Sequence, residues 1–162
     1  MSANKFKPHV HVLPEDDANR QLANGFVDHI AVAPRSVTVL PPAGGWTAVR
    51  DSFPHGHNEA MRRFPDRLMV LLVDFDGRGL QRLRDVTSRV DPAIADRVFV
   101  LGAEDEPEKL RAQLREKYEP IGRRLAEECA RRTDTLWTNP LLVHNAPEVA
   151  RLLVQVRPLL FL

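Results

Sequence analysis

The sequence predicts an α/β fold with a largely parallel sheet of about four strands flanked by helices. Short apolar runs alternate with amphipathic segments, which is the pattern of successive βα units. The clearest run, Leu68–Val73, is apolar without alternation, as expected for a parallel strand that is covered on both faces. The chain has 162 residues, so the sequence predicts one domain, residues 1–162.

Each predicted strand ends at a residue that commonly terminates or follows extended structure. The strands are His9–Leu13, Ser36–Leu40, Leu68–Val73 and Arg97–Leu101. The predicted helices carry apolar residues at spacings of three or four. They are Glu15–Val27 with Leu22, Phe26 and Ile30 on one face; Trp46–Arg63, in two pieces interrupted at Pro54–His57; Gly79–Val90 with Leu80, Leu83 and Val86; a helix from Pro107 with Leu110, Leu114 and Tyr118; Ile121–Arg132; and Ala146–Val156.

Composition limits the classes of function. The formal net charge is +1, so the chain as a whole has no strong electrostatic attraction to nucleic acid or to a membrane surface. Cys129 is the single cysteine, which excludes an internal disulfide and a cysteine-based zinc site. No apolar leader and no apolar run of about 20 residues is present, so we expect a cytoplasmic protein without membrane contact.

The strongest chemical signal is an acidic pair, Asp74 and Asp76, which follows the Leu68–Val73 strand. Ligands of open parallel sheets bind beyond the carboxyl ends of the strands, and Glu15 follows the first strand at the same edge. Three carboxylates brought close together have raised pKa values unless a cation neutralises them. Oxygen ligands of this kind favour Mg²⁺ or Mn²⁺. We therefore predict a divalent-metal site at these residues; an Asp that only caps the following turn is the alternative.

Several neighbouring residues are accessory candidates. Arg78 follows the pair directly and is either a phosphate contact or a charge partner of Asp76. Asp16 and Asp17 are candidates to help hold the metal. Glu104 follows the fourth strand and either faces the same cleft or caps the next helix.

These residues resemble the TOPRIM domain of topoisomerases, bacterial primases, recombination mediators and OLD-type nucleases. That family has a Glu after its first strand and a D-x-D after a later one, which Glu15 and the Asp74–Gly79 segment match in order. Asn19 stands where the family has an acidic residue, and Asp16 stands where it often has Gly. The resemblance covers residues 8–105 as a Rossmann-like TOPRIM core, with residues 106–162 as a helical C-terminal extension packed on the core.

The resemblance implies a small stand-alone protein, similar to OLD nucleases, that performs metal-dependent phosphoryl transfer on nucleic acid in a prokaryotic defence or DNA-processing system. DNA is favoured over RNA. Asp74 and Asp76 would coordinate Mg²⁺ or Mn²⁺, and Glu15 would complete the coordination or act as general acid/base. Tyr118 is read as a packing residue, which favours hydrolysis over a covalent intermediate. The sequence has no P-loop, so any use of ATP requires a separate ATPase partner; a homo-oligomer stays open.

Two other functions remain open. One is a non-catalytic TOPRIM-like binding or scaffold module, which the near-neutral charge and the apolar terminus Leu159–Leu162 would suit. The other is a phosphatase of the haloacid-dehalogenase type, in which a D-x-D after a strand supplies nucleophile and acid. In that family the D-x-D strand usually comes first in the fold, whereas two predicted strands precede it here.

Overall fold

A computed structural model describes residues 2–161 and confirms the predicted α/β fold. A single sheet has four strands in the order β2-β1-β3-β4, and every neighbouring pair is parallel. The strands are β1 His9–Pro14, β2 Val37–Val39, β3 Arg67–Leu72 and β4 Val98–Leu101. This arrangement is consistent with the expected Rossmann-like sheet.

The helices divide between the two faces of the sheet. They are α1 Asp17–Val27, α2 Trp46–Asp51, α3 Asn58–Arg63, α4 Leu80–Thr87, α5 Pro107–Leu114, α6 Tyr118–Arg131, α7 Ala146–Gln155 and α8 Arg157–Leu160. A π-helical turn, Phe53–His57, joins α2 to α3 and confirms the predicted interruption there. The side chains of α2, α3 and α4 pack on one face, and those of α1, α6, α7 and α8 pack on the other.

Both faces of the sheet are buried, which explains why β3 has no polar alternation. Met69 and Leu71 belong to the cluster under α2–α4, whereas Leu68 and Val70 belong to the cluster under α1 and α6. Successive side chains of a strand point to opposite faces, so a strand between two helical layers must be apolar at every position.

The strand order creates a crevice between β1 and β3. From β1 the chain passes through α1 to β2 on one side, then returns through α2 and α3 to β3 on the other side. The connections after β1 and β3 therefore diverge to opposite faces. Such a point of divergence at the carboxyl edge is where open α/β sheets bind their ligands.

Two glycines allow α1 and α6 to pack closely. A Cβ on Gly122 would lie 2.1 Å from the carbonyl oxygen of Leu22, and one on Gly25 would lie 2.0 Å from that of Glu119. Both distances are far below van der Waals contact. Because α1 carries residues of the candidate site, this backbone contact fixes one wall of that site.

Several helix predictions were wrong in detail. The predicted helix from Pro107 through Tyr118 is broken, because Arg115 adopts a left-handed conformation (φ 54°) after α5, and Tyr118 begins α6. Leu80 is 69% exposed and Ile30 is 97% exposed, so neither belongs to a packed face. The predicted start of α1 at Glu15 was two residues early, since Asp16 is the N-cap.

The C-terminal segment packs on the core. Leu160 is buried, its carbonyl oxygen accepts a hydrogen bond from the Ala33 amide (2.6 Å), and Phe161 forms a β-bridge with Val32. Leu162, the last residue of the predicted apolar terminus, lies outside the described residues. No helix between residues 2 and 161 has both the length and the apolar composition to cross a bilayer.

Candidate functional site

Glu15 and Asp74 meet at the crevice between β1 and β3. The Glu15 amide donates to the Leu72 carbonyl oxygen (2.8 Å), which extends the pairing of the two strands by one step. The Asp74 amide donates in turn to Glu15 Oε2 (2.6 Å). The sheet therefore brings together two of the three predicted metal ligands, and we call Glu15, Asp74 and Asp76 the acidic cluster.

The Asp74 carboxylate points toward α1. Its Oδ1 accepts a hydrogen bond from Nδ2 of Asn19 (2.9 Å), which is buried. The same Asn19 Nδ2 donates to Asp16 Oδ1 (3.0 Å), and that oxygen also caps the helix by accepting from the Asn19 amide (2.9 Å). Asn19, where the sequence departs from the TOPRIM pattern, thus contacts the site directly as an amide.

The surroundings of Asp74 and Glu15 disfavour the charged forms of these two carboxyls. Burial raises the pKa of Asp74 to about 7, and the negative charges of Glu15, Asp16 and Glu108 add to this, whereas the hydrogen bond from Asn19 opposes it. Burial likewise raises the pKa of Glu15, although its hydrogen bond from the Asp74 amide acts in the other direction. The positive charge of Arg82 also lowers the pKa of Glu15, but by less than burial raises it.

Asp76 is held by an arginine on the opposite side of the sheet. Arg82 Nη1 donates to Asp76 Oδ2 (2.8 Å) and to the Asp74 carbonyl oxygen (2.7 Å). The Arg82 side chain is 3% exposed and its guanidinium lies 4.6 Å from the ring of Trp46, while Asp76 is 48% exposed. The buried Arg82 Nε has no hydrogen-bond partner among the described residues. Asp74 and Asp76 are therefore engaged by helices on different faces.

Backbone pairing makes the Asp74–Gly77 segment rigid. The amides of Phe75, Asp76 and Gly77 donate to the carbonyl oxygens of the segment that follows β4, at 2.8–3.1 Å. Gly102 is required for this approach, because a Cβ there would lie 1.7 Å from the Val73 carbonyl oxygen. Asp76 itself has a left-handed conformation (φ 49°), which non-glycine residues adopt at a cost.

The accessory candidates differ in where they lie. Asp16 is the α1 cap and faces the cluster, whereas Asp17 is exposed and pairs with Arg20 and Gln21. The Arg78 side chain is exposed, so the charge partner of Asp76 is Arg82 instead. Glu104 is exposed, and its backbone pairs with Gly77 and Leu141.

The acidic cluster has the donor chemistry of a divalent-metal site, although its side chains point in different directions. Within residues 2–161, no three His, Cys, Asp or Glu side chains converge as metal ligands. Carboxylate oxygens nevertheless match the preference of Mg²⁺ and Mn²⁺; the pKa values of Glu15 and Asp74 are raised first by burial and further by the neighbouring carboxylates. Asp76 is half-exposed, so its carboxylate is accessible from solvent.

Sequence reasoning missed Arg82 and the role of Asn19. Arg82 has a detectable signal, because it precedes Val86 by four residues and so lies on the buried face of α4. A second missed element is the turn at Gly44 and Gly45, whose amides donate to the Glu15 carbonyl oxygen (2.9 and 3.2 Å).

Comparison of this chain with family models, with curated proteins and with solved structures finds no match.

Proposed function

We propose that the acidic cluster binds a divalent cation, Mg²⁺ or Mn²⁺, and that the protein hydrolyses phosphodiester bonds in nucleic acid, with DNA the favoured substrate. The observation that carries the proposal is the half-buried hydrogen bond from the Asp74 amide to the Glu15 carboxylate at the crevice of a parallel sheet, with the pKa of both carboxyls raised. The D-x-D motif and its resemblance to TOPRIM nucleases support the choice of reaction.

Asp74 and Asp76 would hold the cation. When bound, a divalent ion supplies positive charge beside a phosphoryl oxygen and lowers the pKa of water. Asn19 orients the Asp74 carboxylate, and Arg82 orients Asp76 through its buried guanidinium. Hydrogen bonds of this kind to ligating carboxylates fix their direction and raise metal affinity.

We assign the movement of a proton to Glu15, with Asp74 and Asp76 as the residues that would hold the cation. Its raised pKa brings its titration closer to neutral pH, where a general base works most effectively. Glu15 Oε2 is occupied by the Asp74 amide, which holds the carboxyl in the crevice. Tyr118 is 6% exposed, so its hydroxyl is poorly placed to act as a nucleophile toward a large substrate.

The test combines cation binding with cleavage. Calorimetry is expected to show that the unmodified chain binds Mn²⁺ and that Asp74→Asn binds it much more weakly. The unmodified chain is expected to cut labelled DNA when Mg²⁺ or Mn²⁺ is present, and Asp74→Asn is expected not to cut it. Asp74→Asn keeps an oxygen that can accept from Asn19, so it removes charge with little loss of packing. The matched control is Asp96→Asn, an exposed acid at the opposite edge of the sheet.

Other outcomes would point elsewhere. Cleavage that persists in Asp74→Asn would exclude the acidic cluster as its source. Absence of both cation binding and cleavage would favour a scaffold module, and hydrolysis of a small phosphate monoester without DNA cleavage would favour a phosphatase.

A further inference from the structure

A groove opens between the end of α5 and the start of α6. Its volume is about 450 Å³, and its lining includes the side chains of Arg111, Arg115 and Lys117. Arg115 is the left-handed residue that ends α5, and Lys117 is the N-cap of α6, so the break between the helices brings the two cations together. All three side chains are exposed.

The far end of the groove is positively charged. Among residues 2–161, none of Arg111, Arg115 and Lys117 forms an ion pair, whereas the neighbouring Arg124 pairs with Glu116 at 2.6 Å. Glu116 is therefore neutralised. Arg111 covers the ring of Tyr118, and Arg115 and Lys117 remain available to an anionic ligand. An arrangement of unpaired cations along a groove favours phosphate groups through charge and hydrogen bonding.

The near end of the groove approaches the acidic cluster. Helix α5 begins just after Asp105, whose carbonyl oxygen accepts from the Asp76 amide (3.1 Å), and its eight residues span about 12 Å. Glu108, in the first turn of α5, lines the groove, and its negative charge also contributes to the raised pKa of Asp74. The Glu108 carboxylate is therefore close to both the groove and Asp74.

We propose that this groove binds the phosphate backbone of a nucleic-acid strand whose scissile phosphate lies at the acidic cluster. This inference rests on the proposed function and adds the path of the substrate. A strand would then have its reacting phosphate at the acidic cluster and further phosphates at Arg115 and Lys117.

The groove recognises charge and not bases. Its single aromatic ring, Tyr118, is buried and is covered by the guanidinium of Arg111 at 5.3 Å, so it offers no face on which a base can stack. Binding that depends on phosphate contacts is independent of sequence and weakens steeply with salt. We therefore expect little sequence preference from this groove.

The experiment measures binding separately from cleavage. Fluorescence anisotropy of a short labelled single-stranded DNA is followed in EDTA over a range of salt concentrations. The double variant Arg115→Gln/Lys117→Gln is expected to bind roughly tenfold more weakly at 0.15 M salt, with a slope of log K against log salt that is less steep by about 1.4. The control, Lys7→Gln/Arg35→Gln, removes two exposed cations at the other edge of the sheet and is expected to bind as the unmodified chain does.

If the double variant and the unmodified chain bind DNA with equal affinity and equal salt slope, the groove does not bind the phosphate backbone. The same conclusion follows if the unmodified chain does not bind DNA. Weakened DNA binding in the double variant, without any metal-dependent cleavage by the unmodified chain, would support the groove and overturn the proposed nuclease. If cleavage requires Asp74 but the double variant binds DNA as the unmodified chain does, the proposed nuclease is supported and the proposed groove is contradicted.

Discussion

At the scale of single residues, the acidic cluster depends on two partners that carry no carboxylate. Asn19 donates to Asp74, and Arg82 donates to both the Asp76 carboxylate and the Asp74 backbone. Arg82 is the more demanding of the two, because a guanidinium that is 3% exposed is stable only when its charge is compensated. The ring of Trp46 and the carboxylate of Asp76 provide that compensation.

Arg82→Gln is expected to weaken Mn²⁺ binding roughly tenfold to a hundredfold, because Asp76 loses the group that orients it. The Mn²⁺ affinity of Arg82→Lys is expected to lie between those of Arg82→Gln and the unmodified chain, since an ammonium keeps the charge without the two-acceptor geometry of the guanidinium. Calorimetry gives the affinities, and Arg84→Gln, on the exposed side of the same helix, is the control. Unchanged affinity in a folded Arg82→Gln protein would show that Arg82 has only a structural role.

At the scale of elements, the position of α1 decides the geometry of the site. Asp16 and Asn19 belong to the first turn of α1, and the helix is held by its close crossing with α6. The crossing has no room for a side chain at Gly122. The close backbone contact between α1 and α6 therefore links the packing of the C-terminal helices to the position of Asn19, which contacts the Asp74 carboxylate.

Gly122→Ala is expected to destabilise the protein by about 1–3 kcal/mol, because the added Cβ forces α1 and α6 apart. A loss of stability would be informative, because alanine is otherwise a better helix former than glycine by about 1 kcal/mol. Urea denaturation measures the free energy of unfolding, and Arg123→Ala, the exposed neighbour on the same helix, is the control for a change to alanine away from the close contact. Equal or higher stability in Gly122→Ala would contradict the close contact.

At the scale of the whole molecule, two groups at different places in the sheet make stability depend on pH in opposite directions. Burial, with the charges of Arg67, His9 and His57, lowers the pKa of His11 to about 4. The unfolded chain takes up this proton near pH 6.5, so the contribution of His11 to stability is lost as pH falls from about 6.5 to 4. In the same region, Arg67 Nε donates a buried hydrogen bond to His9 Nε2 (3.0 Å).

Asp74 has the reverse effect. Its pKa is about 7 in the folded protein against 3.8 in a free side chain, so the folded state keeps a proton that the unfolded state releases. This contribution to stability is lost as pH rises from about 4 to 7. In the unmodified protein the two contributions oppose one another over most of this range, and Glu15 and His57 add to them in the same respective directions.

Substituting either His11 or Asp74 reveals the pH dependence of stability that the other residue causes. In His11→Gln, stability is expected to fall as pH rises from 4 to 7; in Asp74→Asn, it is expected to rise between pH 4 and 6.5. The change is about 1–2 kcal/mol in each case, after allowance for the solvent screening of half-buried groups. Urea denaturation at a series of pH values in EDTA measures both slopes. The same slope in the two variants would refute the opposed contributions.

The sequence alone determined the α/β fold, the sheet strands and the residues that follow them. It did so because a strand covered on both faces must be apolar throughout, as Leu68–Val73 is, and because polar residues at its end then stand out. The sequence also predicted raised pKa values for Glu15 and Asp74 from the repulsion between carboxylates; in the structure burial is the larger cause. That these residues bind a metal and act on nucleic acid stays a prediction.

Only the tertiary structure decided which partners surround those carboxylates. Arg82 and Asn19 lie on helices from opposite faces of the sheet, and their contacts with Asp76 and Asp74 depend on how α4 and α1 cross it. The left-handed residue Arg115 likewise broke a helix that its apolar spacing had predicted to continue. Spacing along the chain records periodicity within one element, whereas these contacts arise from the packing of elements that are distant in sequence.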